Sequence, residues 1–141
     1  RPFGLDRGYA PTTGPDFGLP SMAFETGNLT TDRAQFDRMQ AQIRTDPRLS
    51  LGGPTLRWMG AAIAEMRALA ALPSPAVPAL FGLGGAEAIV SAQAIRDRVA
   101  RWPQAALADY PGAKHELLME RDAVRADFLG RVLALFARDA T

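Results

Sequence analysis

Pro75-Ala76-Val77-Pro78-Ala79-Leu80-Phe81-Gly82-Leu83 is a short, nearly continuous apolar run bounded by prolines and glycines. Such a run fits a strand buried on both faces, as in a parallel sheet. Downstream, Ser91 can cap a helix that carries Ala94, Ile95, Val99 and Trp102. Ala105-Ala106-Leu107-Ala108-Asp109-Tyr110 reads as a second short strand. Val124, Phe128, Leu129, Val132, Leu133 and Phe136 then form the stripe of a final long helix. Units ordered strand, helix, strand, helix close parallel pairs through right-handed crossovers, so the fold class is α/β. Two parallel strands alone leave apolar edges and faces uncovered. No further strand signal lies in residues 1–74, and the sheet is therefore expected to be incomplete within these residues.

Upstream the character differs. Gly4, Gly8, Pro11, Gly14, Pro15, Gly18, Pro20 and Gly27 break any period, so residues 1–28 read as an extended or looped segment. Thr31 or Asp32 can start a helix over 32–45, with Gln35 placed as in a capping box. Phe36, Met39 and Ile43 share one face of it, and Asp46-Pro47 stops it. A second helix over 54–71 is expected to begin with Pro54 in its first position and to end at Pro73. Leu56, Met59, Ile63, Met66 and Leu69 with Ala70 form its stripe. The pair reads as a helical hairpin whose methionines fill a core or line an adaptable apolar groove.

Composition excludes several classes. The 141 residues are 48% hydrophobic and 22% charged, which is ordinary for one soluble globular domain and not for a disordered or fibrous chain. There is no cysteine, so disulfides, thiolate metal sites and a cysteine nucleophile are out. A net charge of +1 is too balanced for a nucleic-acid footprint. No apolar run approaches the ~18–20 residues of a membrane span, and the opening Arg1-Pro2-Phe3-Gly4 shows neither a signal-peptide core nor an initiator methionine. The expectation is a cytoplasmic protein, at most peripheral at a membrane surface, of which this chain is one portion.

The single histidine, His115, follows a Pro-Gly turn just beyond the second strand, in Asp109-Tyr110-Pro111-Gly112-Ala113-Lys114-His115-Glu116. Active sites of α/β sheets lie at the carboxyl ends of the strands. The first strand runs into Gly84-Gly85-Ala86-Glu87, which sets a carboxylate at the same rim, about one strand–helix–strand unit away. Neighbouring parallel strands would bring the acid and the imidazole together. Alone, a loop histidine or a loop glutamate is more often a plain surface residue. Glu116, Glu120, Arg121 and Arg125 read as salt-bridged loop and helix-start residues, and one histidine with adjacent acids makes poor metal-ligand geometry.

The order strand, G-x-E-x-I-V-S from Gly85 to Ser91, helix, strand, then P-G-A-K-H-E-L-L-M-E from Pro111 to Glu120 resembles the carboxyl-terminal part of an α/β-hydrolase. Within that fold it is most similar to the lysophospholipase and monoacylglycerol-lipase-like serine hydrolases. Asn28-Leu29-Thr30-Thr31-Asp32 with Phe36, and Leu51-Gly52-Gly53-Pro54-Thr55 with Trp58, also resemble segments of bacterial lysophospholipases, so the likeness covers about residues 24–137. It implies a Ser-acid-His mechanism in which His115 is the general base and Glu87 orients it. It also implies a division into an extended start at 1–28, a helical cap at 29–72 and a hydrolase core portion at 73–141. Met59, Ile63 and Met66 would then contact an acyl chain, and no cofactor or metal is implied.

The family pattern usually carries Asp in a G-E-D-x-V-V-like stretch. Anchoring on Ile89-Val90 puts Glu87 at the acid position, whereas a shifted register puts Ala88 there. None of Ser21, Ser50, Ser74 and Ser91 lies in G-x-S-x-G; they read as loop residues and caps, so the nucleophile is expected from a missing amino-terminal half. The expected function is carboxylic ester hydrolysis on a lysophospholipid or monoacylglycerol, by the complete protein. Competing readings are a non-catalytic fragment or degenerate hydrolase acting as an interaction module, and other chemistries of the scaffold such as a peptidase or dehalogenase.

Overall fold

The computed structural model describes residues 6–138. Its elements are α1 (Arg33–Thr45), α2 (Leu56–Ala71), β1 (Ala79–Gly84), α3 (Ala92–Ala100), β2 (Ala105–Tyr110) and α4 (Asp122–Arg138), with single 3-10 turns at Leu19–Ser21, Pro47–Leu49 and Leu117–Met119. By internal contacts the chain forms two compact units. One joins the described residues up to Ala23 with Asp37–Leu72; the other joins Phe24–Phe36 with the described residues from Pro73 onward. The division runs through α1, and residues 29–36, read from sequence as part of a hairpin, group with the strands.

In the second unit, β1 and β2 pair in parallel, Ala79 opposite Ala105 through Gly84 opposite Tyr110. The strand signal therefore holds from Ala79 onward, while Pro75 and Pro78, which lack a backbone donor, fall outside the ladder. Ser91 caps α3, its hydroxyl accepting from the Ala94 N–H at 3.2 Å. Ala108, Tyr110, Ala113 and Leu117 form the core, with Leu80, Val124 and Phe128 packed against it. Tyr110 meets Phe128 edge-on and donates its hydroxyl to Asp127 at 2.8 Å. Burial first, then the Asp127 carboxylate, push the Tyr110 hydroxyl up to about 12, so it stays protonated and donating. The apolar stripe of α4 splits in two. Val124 and Phe128 face the core, while Leu129, Leu133 and Phe136 remain exposed.

Phe24–Phe36 is tied to this unit by pairing rather than by burial alone. His115 N–H donates to the Asn28 carbonyl at 3.2 Å and Glu116 N–H to the Leu29 carbonyl at 2.8 Å. Asp32 caps α1, its carboxylate accepting from Ala34 and Gln35 N–H groups. The Phe36 ring packs edge-on against Phe24, whose own face receives the Arg33 guanidinium and the Lys114 ammonium.

In the first unit, Tyr9 bridges Thr55, Ala10 N–H donates to the Pro54 carbonyl and Leu56 N–H to the Gly8 carbonyl. From residue 6 onward the glycine- and proline-rich stretch is thus looped but anchored through Gly8, Tyr9 and Ala10, while Gly4 lies outside the described residues. Helix α2 begins later than its proline suggested: Thr55 is the cap, accepting from Trp58 N–H at 3.2 Å, and Pro54 precedes it. No residue of α2 is buried, and Leu56, Ile63, Met66 and Leu69 are exposed. No helix among the described residues is long and apolar enough to cross a membrane.

Close approach fixes one residue type at the end of β1. A β-carbon on Gly84 would lie 2.5 Å from the Ala113 carbonyl oxygen and nearer still to that of Lys114, both backbone atoms that cannot swing aside. Gly84→Ala is therefore expected to destabilise the fold by about 3 kcal/mol or more. Gly60→Ala, on the exposed side of α2 with open space around it, should instead stabilise by about 0.5–1 kcal/mol. Denaturant unfolding of both variants checks the contrast, and equal effects would remove the steric argument.

Candidate active site

The two strand ends are laced together before any side chain is considered. Gly85 N–H donates to the Tyr110 carbonyl and Ala86 N–H to the Ala113 carbonyl, each at 2.8 Å. Tyr110-Pro111-Gly112-Ala113 is a tight turn closed by Ala113 N–H on the Tyr110 carbonyl at 3.1 Å. Gly112 sits there at φ 78°, where a side chain would be strained. These bonds bring the loops after β1 and β2 side by side, one carrying Glu87 and the other His115.

Glu87 Oε2 lies 2.7 Å from His115 Nδ1. Its other oxygen accepts from the backbone N–H groups of Ile89 at 2.6 Å and Val90 at 3.1 Å. The Glu87 side chain is 5% exposed, against 29% for His115. Burial raises the Glu87 pKa, but the Ile89 N–H, the imidazole and the Val90 N–H together outweigh it, and the carboxyl is held below its ordinary range. An ionised carboxylate only accepts hydrogen bonds, so Nδ1 must carry the proton. In the neutral ring, Nε2 is then the unprotonated nitrogen, on a half-buried ring; the nearest acid to it is Glu116, at 4.0 Å. A buried acid and a partly exposed imidazole held in one tautomer, with Nε2 unprotonated, can accept a proton from a hydroxyl and return it.

Ala88, the alternative acid position, has no side-chain group that could serve and is exposed. Three of the four serines have structural roles: Ser21 donates to the Gly18 carbonyl, Ser74 accepts from Arg98 and Ser91 caps α3. Met59 is half-buried on α2, whereas Ile63 and Met66 are exposed. A cavity of about 550 Å³ in the same unit is lined by Tyr9, Leu51, Gly52, Gly53, Pro54, Thr55 and Trp58, and by none of those three.

Glu120 departs most from its sequence reading. Instead of a salt-bridged loop or helix-start acid it is a fully buried carboxylate, at 0% exposure, whose donors are N–H groups and a hydroxyl. Oε1 accepts from Thr31 N–H at 2.8 Å and Lys114 N–H at 2.9 Å, and Oε2 takes the Thr31 hydroxyl and the Arg121 N–H. Burial alone would raise its pKa; the Lys114, Thr31 and Arg121 donors reverse that and hold it below the ordinary range. A 3-10 turn at Leu117–Met119 brings Glu120 back to the Lys114 N–H, a placement the sequence reading missed.

A two-stranded parallel piece with an acid–imidazole pair at its carboxyl rim has the form of an α/β-hydrolase rim. Comparison agrees. The chain matches the family model described as serine aminopeptidase, S33, over residues 15–122, and it belongs to that family of α/β-hydrolases. It is 32% identical over 142 aligned positions to lysophospholipase L2 of Escherichia coli K12, covering 93% of this chain and 40% of that protein. It is 31% identical over 109 residues to the probable lysophospholipase L2 of Haemophilus influenzae, covering 77% and 35% respectively. A soluble variant of the monoglyceride lipase of Saccharomyces cerevisiae, solved with a substrate analogue, superposes with a TM-score of 0.57 at 18% identity over 80% of this chain and 42% of that one. The chain thus spans about two fifths or less of the length of these relatives.

Proposed function

We propose that this chain supplies the acid and base of a serine hydrolase that cleaves carboxylic esters of lysophospholipids or monoacylglycerols. The observation that carries the reading is the 2.7 Å bond between buried Glu87 and His115 Nδ1, which leaves Nε2 available to a nucleophile. His115 takes the proton of a serine as it attacks the ester carbonyl and returns it to the leaving alcohol; Glu87 holds the tautomer and stabilises the imidazolium. The serine and its oxyanion hole come from outside these 141 residues, since none of the chain's serines lies in a nucleophile elbow. Residues 29–72 form the cap in this proposal, with Met59, Ile63 and Met66 on the acyl chain. The lysophospholipase relatives support an ester-bearing lipid as substrate. The protein works in the cytoplasm, at most peripheral to the membrane.

The family's description favours a second reading, release of amino-terminal residues by amide hydrolysis on the same catalytic groups. Incubating the complete protein with a lysophosphatidylcholine, a monoacylglycerol and an aminoacyl anilide separates the two. Release of free fatty acid with no anilide cleavage is the expected result. Anilide cleavage without fatty-acid release contradicts the ester assignment, and neither product would leave the interaction-module reading in its place.

A further inference from the structure

We propose that Glu120 is a positioning residue for His115, an assignment that rests on the hydrolase reading above. Its carboxylate has no exposure and, among the described residues, no cationic side-chain partner; its donors are backbone N–H groups and the Thr31 hydroxyl. Oε1 joins the N–H of Lys114, immediately before the histidine, to the N–H of Thr31, which is 89 residues from Glu120 in sequence. Oε2 accepts the Thr31 hydroxyl. The Thr30 hydroxyl donates to the Met119 carbonyl at 2.7 Å, and the Glu120 carbonyl receives Arg125 Nη1 at 2.8 Å. Between these anchors, His115 and Glu116 donate to Asn28 and Leu29, and Lys114 Nζ reaches the Gly27 carbonyl at 2.5 Å.

The imidazole is therefore held at two levels. Glu87 fixes the ring through Nδ1, and Glu120 fixes the main chain from which the ring hangs by clamping residue 114 to residue 31. A buried charge satisfied by several donors is a stiff element, because moving any donor exposes an uncompensated carboxylate. Stiffness at that point matters to catalysis because a displacement of ~1 Å at the reacting groups can cost about 10²-fold in rate. Glu120 touches neither the ring nor Glu87, so its effect is indirect.

The test uses the complete protein and fatty-acid release, with Glu120→Gln, Thr31→Val and Thr31→Ser compared with His115→Ala. Glutamine keeps the shape and loses the charge; valine deletes the one hydroxyl that serine retains. The expected result is that Glu120→Gln lowers kcat by about 10–10²-fold with KM nearly unchanged, at a temperature where the variant is fully folded. Thr31→Val should lower kcat less, in the same manner, and Thr31→Ser should restore it. A lowered Tm with an unchanged kcat in Glu120→Gln and Thr31→Val would overturn the proposal, and leave Glu120 a structural residue only. If Glu120→Gln does not fold, the Thr31→Val and Thr31→Ser pair decides alone. Activity retained in His115→Ala would instead overturn the hydrolase reading, and this inference with it.

Discussion

Alanine at His115 is expected to abolish ester hydrolysis by the complete protein, lowering kcat by about 10⁴-fold or more while leaving the fold intact. Without the imidazole, the group proposed to take the serine proton is gone, and Glu87 is left facing the empty place of the ring rather than the nucleophile. Glu116 Oε1 is 4.0 Å from Nε2 and belongs to a half-exposed carboxylate outside the Glu87–His115 bond. The structural cost should be modest because the histidine ring is partly exposed and Glu87 keeps its Ile89 and Val90 donors. A thermal shift of a few degrees with activity gone fits this account. Retained turnover would remove His115 from the mechanism.

Glu87→Gln carries the next largest expected effect, a loss of roughly 10²–10⁴ in kcat, through the tautomer rather than through shape. A glutamine oxygen can still accept from Ile89 and Val90, which turns its NH₂ toward His115 Nδ1. Nδ1 must then accept, so the proton moves to Nε2 and the ring can no longer take one from the serine. KM should change little, since no contact with substrate is altered. Near-neutral folding stability with a large drop in kcat supports the role. An effect below about tenfold would mean that another acid orients the ring.

Much of the fold is legible in the sequence because its signals are local. The Ser91 cap, the Asp32 cap and the β2 run need only a few neighbouring residues to be recognised, and they lie where those residues suggest. The Glu87–His115 contact is non-local, yet parallel strands joined by one helix leave a single geometry for their ends, so spacing was enough to anticipate it. Glu120 was not legible in the same way. Whether a loop carboxylate is exposed or sealed depends on Thr31 arriving from far upstream, and no periodicity records that meeting. The stripe of α2 fails for the opposite reason. Apolar spacing shows which face a helix would bury, not whether a surface is there to bury it, and apart from half-buried Met59 that face is exposed among the described residues. Pro54 shows how two local signals compete: Thr55 has the hydroxyl that caps, and the proline one residue earlier marks only the approach.

The central claim is that Glu87 and His115 activate a serine lying outside this chain. Treating the complete protein with a fluorophosphonate probe, then mapping the labelled peptide in wild type and in His115→Ala, tests it most directly. The account predicts one labelled serine outside these 141 residues, with labelling lost in His115→Ala and absent from the 141-residue chain alone. Labelling of Ser21, Ser50, Ser74 or Ser91, or labelling undiminished in His115→Ala, would contradict it.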